Sequence, residues 1–150
     1  MSLRYLLDTN IISLLDARRA EKRGHLPSWL VLHGTEMAIS AITLTEIQSG
    51  ILKLRRLGQQ ARAHELQVMI EAIQRNFADR ILPVDDRVAV AVSHMAERIR
   101  PVIIGLPDLL IASTAEARGL TVLTGNLRHF VPTGVPAIDP VVTAPGCKEP

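Results

Sequence analysis

The sequence predicts an α/β domain of three layers, with helices on both faces of a mainly parallel sheet of about five strands. Two observations carry this. Short apolar runs alternate with longer segments of helical periodicity along the whole chain. The 150 residues, 47% of them hydrophobic, contain no internal repeat, low-complexity block or linker, so one core is expected. The boundaries expected are a single domain over residues 1–138 and a mobile tail over 139–150.

Taken in order, residues 4–7 read as a short buried strand. Asp8-Thr9-Asn10 supplies turn and cap chemistry for a helix beginning at Ile11–Leu15. Residues 16–25 are charged and loop-like. Pro27 and Ser28 open a short helix that Gly34 stops. Met37–Ser40 is a second strand, and Thr43–Leu57 a helix ending at Gly58. Over residues 60–77, Leu66, Met69, Ile70, Ile73 and Phe77 recur at helical spacing, so one face is buried. Ile81–Val84 is a third strand, kept to an edge or an end by Pro83. Asp85 or Asp86 caps a helix with Val88, Val92, Met95 and Ile99 inward. Residues 100–106 form a loop, and Pro107 starts a helix through Arg118 that Gly119 closes in the left-handed region. Thr121–Thr124 and Ala137-Ile138 are the last two strands.

Composition excludes several function classes. Aromatic residues are 3% of the chain, too few for the exposed rings on which single-stranded bases stack. Cys147 is the only cysteine, so neither an intrachain disulfide nor a Cys-based zinc site is available. The N-terminal apolar run is too short for a signal peptide and is interrupted by Asp8. No stretch approaches the ~20 apolar residues that span a bilayer. A cytoplasmic protein is therefore expected. The net charge is only +2, but the cations cluster: Arg18, Arg19, Lys22 and Arg23, then Lys53, Arg55 and Arg56. Such runs are usually solvated helix faces, and a phosphate backbone is the partner they would otherwise suit.

In a parallel sheet, ligands bind beyond the carboxyl ends of the strands. Asp8 lies just past the first strand, Glu46 in the first turn of the helix after the second, and Asp108 at the start of the helix before the fourth. Asn126 follows the fourth strand. Each acidic residue also suits an ordinary role: Thr43-Leu-Thr-Glu46 matches a capping box, and Asp8 and Asp108 suit helix N-termini. Their common placement at one end of the sheet is what points to a site. Three converging carboxylates raise one another's pKa unless compensated. Oxygen ligands without Cys or paired His suit Mg²⁺ or Mn²⁺ rather than Zn²⁺. Of the five histidines, only His129 falls close to these residues.

These segments are recognisable. Leu6-Leu-Asp-Thr-Asn-Ile-Ile-Ser13, Ile42-Thr-Leu-Thr-Glu-Ile47, Leu106-Pro-Asp-Leu-Leu-Ile-Ala-Ser-Thr-Ala115 and Arg118-Gly-Leu-Thr-Val-Leu-Thr-Gly-Asn-Leu-Arg-His-Phe130 resemble, in order and spacing, the motifs of PIN-domain toxins of bacterial toxin–antitoxin pairs, the VapC and FitB-like group. The resemblance implies a PIN-like fold and Mg²⁺- or Mn²⁺-dependent cleavage of RNA. Asp8, Glu46 and Asp108 would be the catalytic, metal-binding carboxylates. Asn10 would orient Asp8, while Thr124 and Asn126 would line the pocket and hold a water or the metal, with Asn126 counted among the catalytic residues. Many similar sequences carry an acidic residue where this chain has Asn126, so weaker binding of a second ion is expected. The resemblance also implies a homodimer and an antitoxin that inserts into the acidic pocket and carries the assembly to DNA. Two rivals fit less well. A phosphoryl-accepting receiver needs an acidic pair early and a late lysine, and a haloacid-dehalogenase-like phosphatase needs Asp where Asn10 stands. A non-catalytic PIN module that binds RNA or protein is the remaining alternative.

Overall fold

The computed structural model describes residues 2–147. Five strands, β1 (Tyr5–Leu7), β2 (Met37–Ser40), β3 (Ile81–Leu82), β4 (Thr121–Leu123) and β5 (Ala137–Ile138), form one sheet in the order β3-β2-β1-β4-β5. Every pairing is parallel. The helices are α1 (Thr9–Ser13), α2 (Leu26–His33), α3 (Ala41–Arg56), α4 (Gln60–Asn76), α5 (Asp86–Arg98), α6 (Leu106–Arg118) and α7 (Leu127–Phe130).

Period-two alternation along the strands makes the three layers. Tyr5, Leu7, Met37, Ile39 and Leu123 face a core shared with α1 to α4, where Ile12, Trp29, Ile51 and Ile70 are buried. Leu6, Ala38 and Val122 face the other core, with Met95, Ile111, Ala112 and Phe130 of α5 to α7. From β1 the chain steps outward to β2 and β3, then returns to place β4 on the opposite side of β1. That reversal opens a crevice between β1 and β4 at their carboxyl ends, the place where such sheets bind ligands.

Several boundaries differ from expectation for local reasons. Residues Ala17–Lys22, expected as loop, form a 3₁₀ turn capped by the Asp16 side chain, which accepts from the Arg18 amide at 3.3 Å. The helix expected from Thr43 begins at Ala41, because the Ser40 hydroxyl caps it by accepting from the Ile42 amide at 3.1 Å. A one-turn helix, α7, follows β4 where no helix was expected. Residues 139–143, expected to open a mobile tail, are hydrogen-bonded to the body. The Trp29 indole donates to the Thr143 carbonyl at 2.7 Å, and the His25 amide to that of Val141 at 3.0 Å. The backbone at Gly24, with φ +49°, runs so close that a Cβ there would collide with the Val141 carbonyl oxygen. Residues 148–150 of the expected tail lie outside the described residues. Among the described residues no helix is long and apolar enough to cross a membrane.

Candidate active site

Asp8 is where β1 becomes α1. Its backbone is extended, and its Oδ1 accepts from the Thr9 amide at 2.8 Å, the ordinary bond of an N-cap. Its Oδ2 accepts from the Thr124 hydroxyl at 2.8 Å, from the end of β4 across the crevice. The residue is only 3% exposed. Burial pushes the Asp8 carboxyl from 3.8 up to about 6; the bonds from Thr124 and Thr9 pull it down, and the charges of Asp108 and Glu46 push it up. The capping role is therefore real, but it leaves a buried carboxyl facing two others.

Because Ser40 caps α3, Glu46 lies beyond the first turn and is not the closing residue of a capping box. Its Oε1 accepts instead from the Thr9 hydroxyl at 2.6 Å. Thr9 has one hydroxyl proton, so the Thr43 hydroxyl, 3.1 Å away and buried, is left to donate to it. Sequence reasoning missed this Thr43–Thr9–Glu46 relay. Its available signals were that Thr9 adjoins Asp8 and that Thr43 precedes Glu46 by one helical turn.

Asp108 stands in the first turn of α6, after Pro107. Its Oδ2 lies 2.9 Å from Nδ1 of His129 on α7, so His129 is the histidine that reaches the site. Asn10 bridges α1 to the loop after β4: its amide donates to the Thr124 hydroxyl at 3.4 Å, and its carbonyl accepts from the Gly125 amide at 3.1 Å. Asn126 reaches Thr124 through its backbone amide, at 2.9 Å, while the residue itself is exposed.

The three carboxylates thus face one end of the sheet within electrostatic reach. They are not drawn together: among the described residues no three His, Cys, Asp or Glu side chains stand at spacing that would hold an ion. Glu46 is held by Thr9 and Asp108 by His129. A cleft of about 220 Å³ runs from Thr9 and Glu46, past Asp16, Arg19 and Arg62, over an apolar floor that includes Leu54 and Met69.

The basic residues divide by place. Arg18 makes a bidentate pair with Glu65, both bonds 2.9 Å. Arg23 donates to the carbonyls of Leu14, Leu15 and Asp16. Arg19 and Lys22 are exposed. Lys53, Arg55 and Arg56 occupy the last turn of α3, with Arg55 about 14 Å along the helix from Glu46 at 1.5 Å per residue; there they complement the helix dipole.

Arg62 anchors the 3₁₀ turn through buried Asp16, donating to both carboxylate oxygens, and also pairs with Glu65 at 3.0 Å. The bond from Arg62 holds the Asp16 carboxyl below its ordinary value. This contribution is present above the unfolded-state pKa and lost as pH falls through the lower folded value. Arg62→Ala leaves Asp16 buried and unpaired, and should cost about 2 kcal/mol of stability in urea unfolding at neutral pH. The deficit should shrink at acid pH, where Asp16 is protonated in both proteins.

A PIN domain model matches residues 5–131. The tRNA(fMet)-specific endonuclease VapC of Salmonella typhimurium is 31% identical over 134 residues, covering 85% of this chain and 90% of that protein. The crystal structure of FitAcB from Neisseria gonorrhoeae is similar with a TM-score of 0.77 and 31% identity, over 93% of this chain and 99% of that one. DNA-bound VapBC from Salmonella typhimurium gives a TM-score of 0.76 at 25% identity, over 92% and 98% of the two chains.

Proposed function

The chain belongs to the PIN-domain family, and from that premise we propose that it is the toxin of a toxin–antitoxin pair, a metal-dependent endoribonuclease that hydrolyses RNA phosphodiester bonds. The observation that carries this reading is Asp8: a carboxyl buried at the β1/β4 crevice and pushed up to about 6, with Glu46 and Asp108 charging the same space. A site kept for stability alone gains nothing from that repulsion. Similarity to an endonuclease over most of both chains supports the same reading.

The donor set fits Mg²⁺ or Mn²⁺: oxygen donors, no cysteine, and negative charge without a cationic side chain buried among it. Asp8, Glu46 and Asp108 would hold the ion, which would compete with Thr9 and His129 for two of them. When bound, such an ion lowers the pKa of coordinated water and offsets charge gathering on phosphate. The chain's own contribution is positioning. The Thr9 amide and the Thr124 hydroxyl fix both oxygens of Asp8, and the Thr43–Thr9 relay aims Glu46. Asn10 and the Asn126 amide fix Thr124 in turn, and the exposed Asn126 side chain is left to meet water or substrate. Water attacks phosphorus in line and the 3′-oxygen leaves, giving 5′-phosphate and 3′-hydroxyl ends.

The partners proposed are an antitoxin placing an Arg against the acidic pocket, a second copy of the chain, and DNA reached through the antitoxin, all in the cytoplasm. The rival reading, a non-catalytic RNA- or protein-binding module, draws on the separation of the three carboxylates. Total RNA incubated with the partner-free protein decides between them. Discrete cleavage is expected with Mg²⁺ or Mn²⁺ and none with EDTA; absence of cleavage under every condition favours the binding module.

A further inference from the structure

We infer that Arg19 and Lys22 are the side chains that grip the RNA phosphate backbone, along a second cleft that Asn10 and Asn126 also line. The inference rests on the ribonuclease reading and specifies how that site takes its substrate. The cleft, about 310 Å³, lies between the 3₁₀ turn and the loop after β4, and its lining includes Asn10, Arg19, Lys22, Asn126 and Asp139. Two of these touch Thr124, which holds Asp8. The cleft is thus linked to the buried carboxyl through one residue, Thr124.

Three other cations around the 3₁₀ turn have structural work. Arg18 is neutralised by Glu65, Arg23 is engaged by three carbonyls, and Arg62 by Asp16 and Glu65. Among the described residues, Arg19 and Lys22 have no side-chain hydrogen bond or ion pair, although Arg19 acts on Asp16 at longer range. Arg19 also borders the cleft that contains Glu46, so one guanidinium stands where the two clefts meet. The turn carrying both cations is fixed by Arg62, Arg18 and Arg23, which reduces the ordering cost of binding. Asp139 is the one acidic group on the wall, and its Oδ1 is engaged by the Val141 amide at 2.9 Å; it repels phosphate and marks the limit of the path. The exposed Asn126 side-chain amide, distinct from the backbone amide that Thr124 engages, can donate to a phosphate or a base edge.

The test uses full-length protein carrying Asp8→Asn, which holds RNA uncut, and a fluorescein-labelled single-stranded RNA read by anisotropy across a salt series. Adding Arg19→Ala and Lys22→Ala should raise Kd about 10-fold or more at moderate salt and flatten the log–log salt slope by ~1.4, or ~0.7 for each single-strand phosphate no longer neutralised. Arg19→Lys with Lys22→Arg should keep the slope, and Arg55→Ala with Arg56→Ala should leave Kd within about 2-fold. With Asp8 intact, the Arg19/Lys22 double alanine variant should raise KM and leave kcat nearly unchanged. Unaltered Kd and slope in the double alanine variant, or weakened binding appearing with Arg55 and Arg56 instead, overturns the assignment while cleavage by the wild-type chain keeps the ribonuclease reading. A chain that neither cuts nor binds RNA overturns both.

Discussion

Asp8→Asn is expected to lower RNA cleavage by at least ~10³-fold while making the metal-free protein more stable at neutral pH. The two effects have one cause. The folded carboxyl titrates at about 6 instead of 3.8 because it is buried, with Asp108 and Glu46 adding repulsion. The folded state therefore holds its proton more tightly than the unfolded state does. Stability contributed at low pH is lost as pH rises from near 4 through about 6. Roughly two pKa units at 1.36 kcal/mol each is ~3 kcal/mol.

The amide carries no charge to desolvate, so the variant escapes this loss. It gives back ~1 kcal/mol, because Thr124 can no longer donate to the second oxygen. A net gain of about 2 kcal/mol at pH 7.5 is expected, with none at pH 4. Urea unfolding in EDTA at several pH values reads it directly. Mg²⁺ should reverse the order, raising the wild-type Tm by ligand linkage and leaving Asp8→Asn where it was. A variant no more stable than wild type at neutral pH would show that the crevice solvates Asp8 better than its burial indicates.

The same residue shows what can be read from a chain of letters. Apolar runs bounded by turn residues located all five strands; the reversal of their order, which sets the ends of β1 and β4 side by side, emerged only in the structure. Asp8 stood out by its place after the first strand, whereas Thr124 was named only through the resemblance of its segment to the family motif. Glu46 was harder, because Thr43-Leu-Thr-Glu46 is a sound capping box by spacing. Only the competing hydroxyl of Ser40, three residues earlier, decides that Thr43 does not cap. Thr43 is thereby free to face Thr9, an approach that depends on how α1 packs on α3 and has no local signature. The basic clusters were legible as clusters and no further. Whether an arginine is free or engaged depends on partners such as Glu65, far away in sequence, and on carbonyls that composition does not reveal.

Thr124→Val separates the support of Asp8 from Asp8 itself. The Thr124 hydroxyl donates to Asp8 and accepts from the Asn10 amide and the Asn126 backbone amide. Valine keeps the shape and removes all three bonds. Cleavage should fall ~10- to 100-fold, the usual cost of removing the group that orients a metal-binding side chain. The unmade bonds should cost ~2 kcal/mol of stability. A merely structural role would produce that stability loss as well, so the deciding measurement is the titration of Asp8 by carbon NMR in the metal-free protein. The Thr124 bond is the largest influence lowering the Asp8 pKa; without it the midpoint should rise above about 6. Thr124→Ser, which keeps the hydroxyl, should restore both midpoint and rate. An Asp8 midpoint unchanged in Thr124→Val would mean that this hydroxyl does not govern the carboxyl, and the crevice would then owe its chemistry to Glu46 and Asp108 alone.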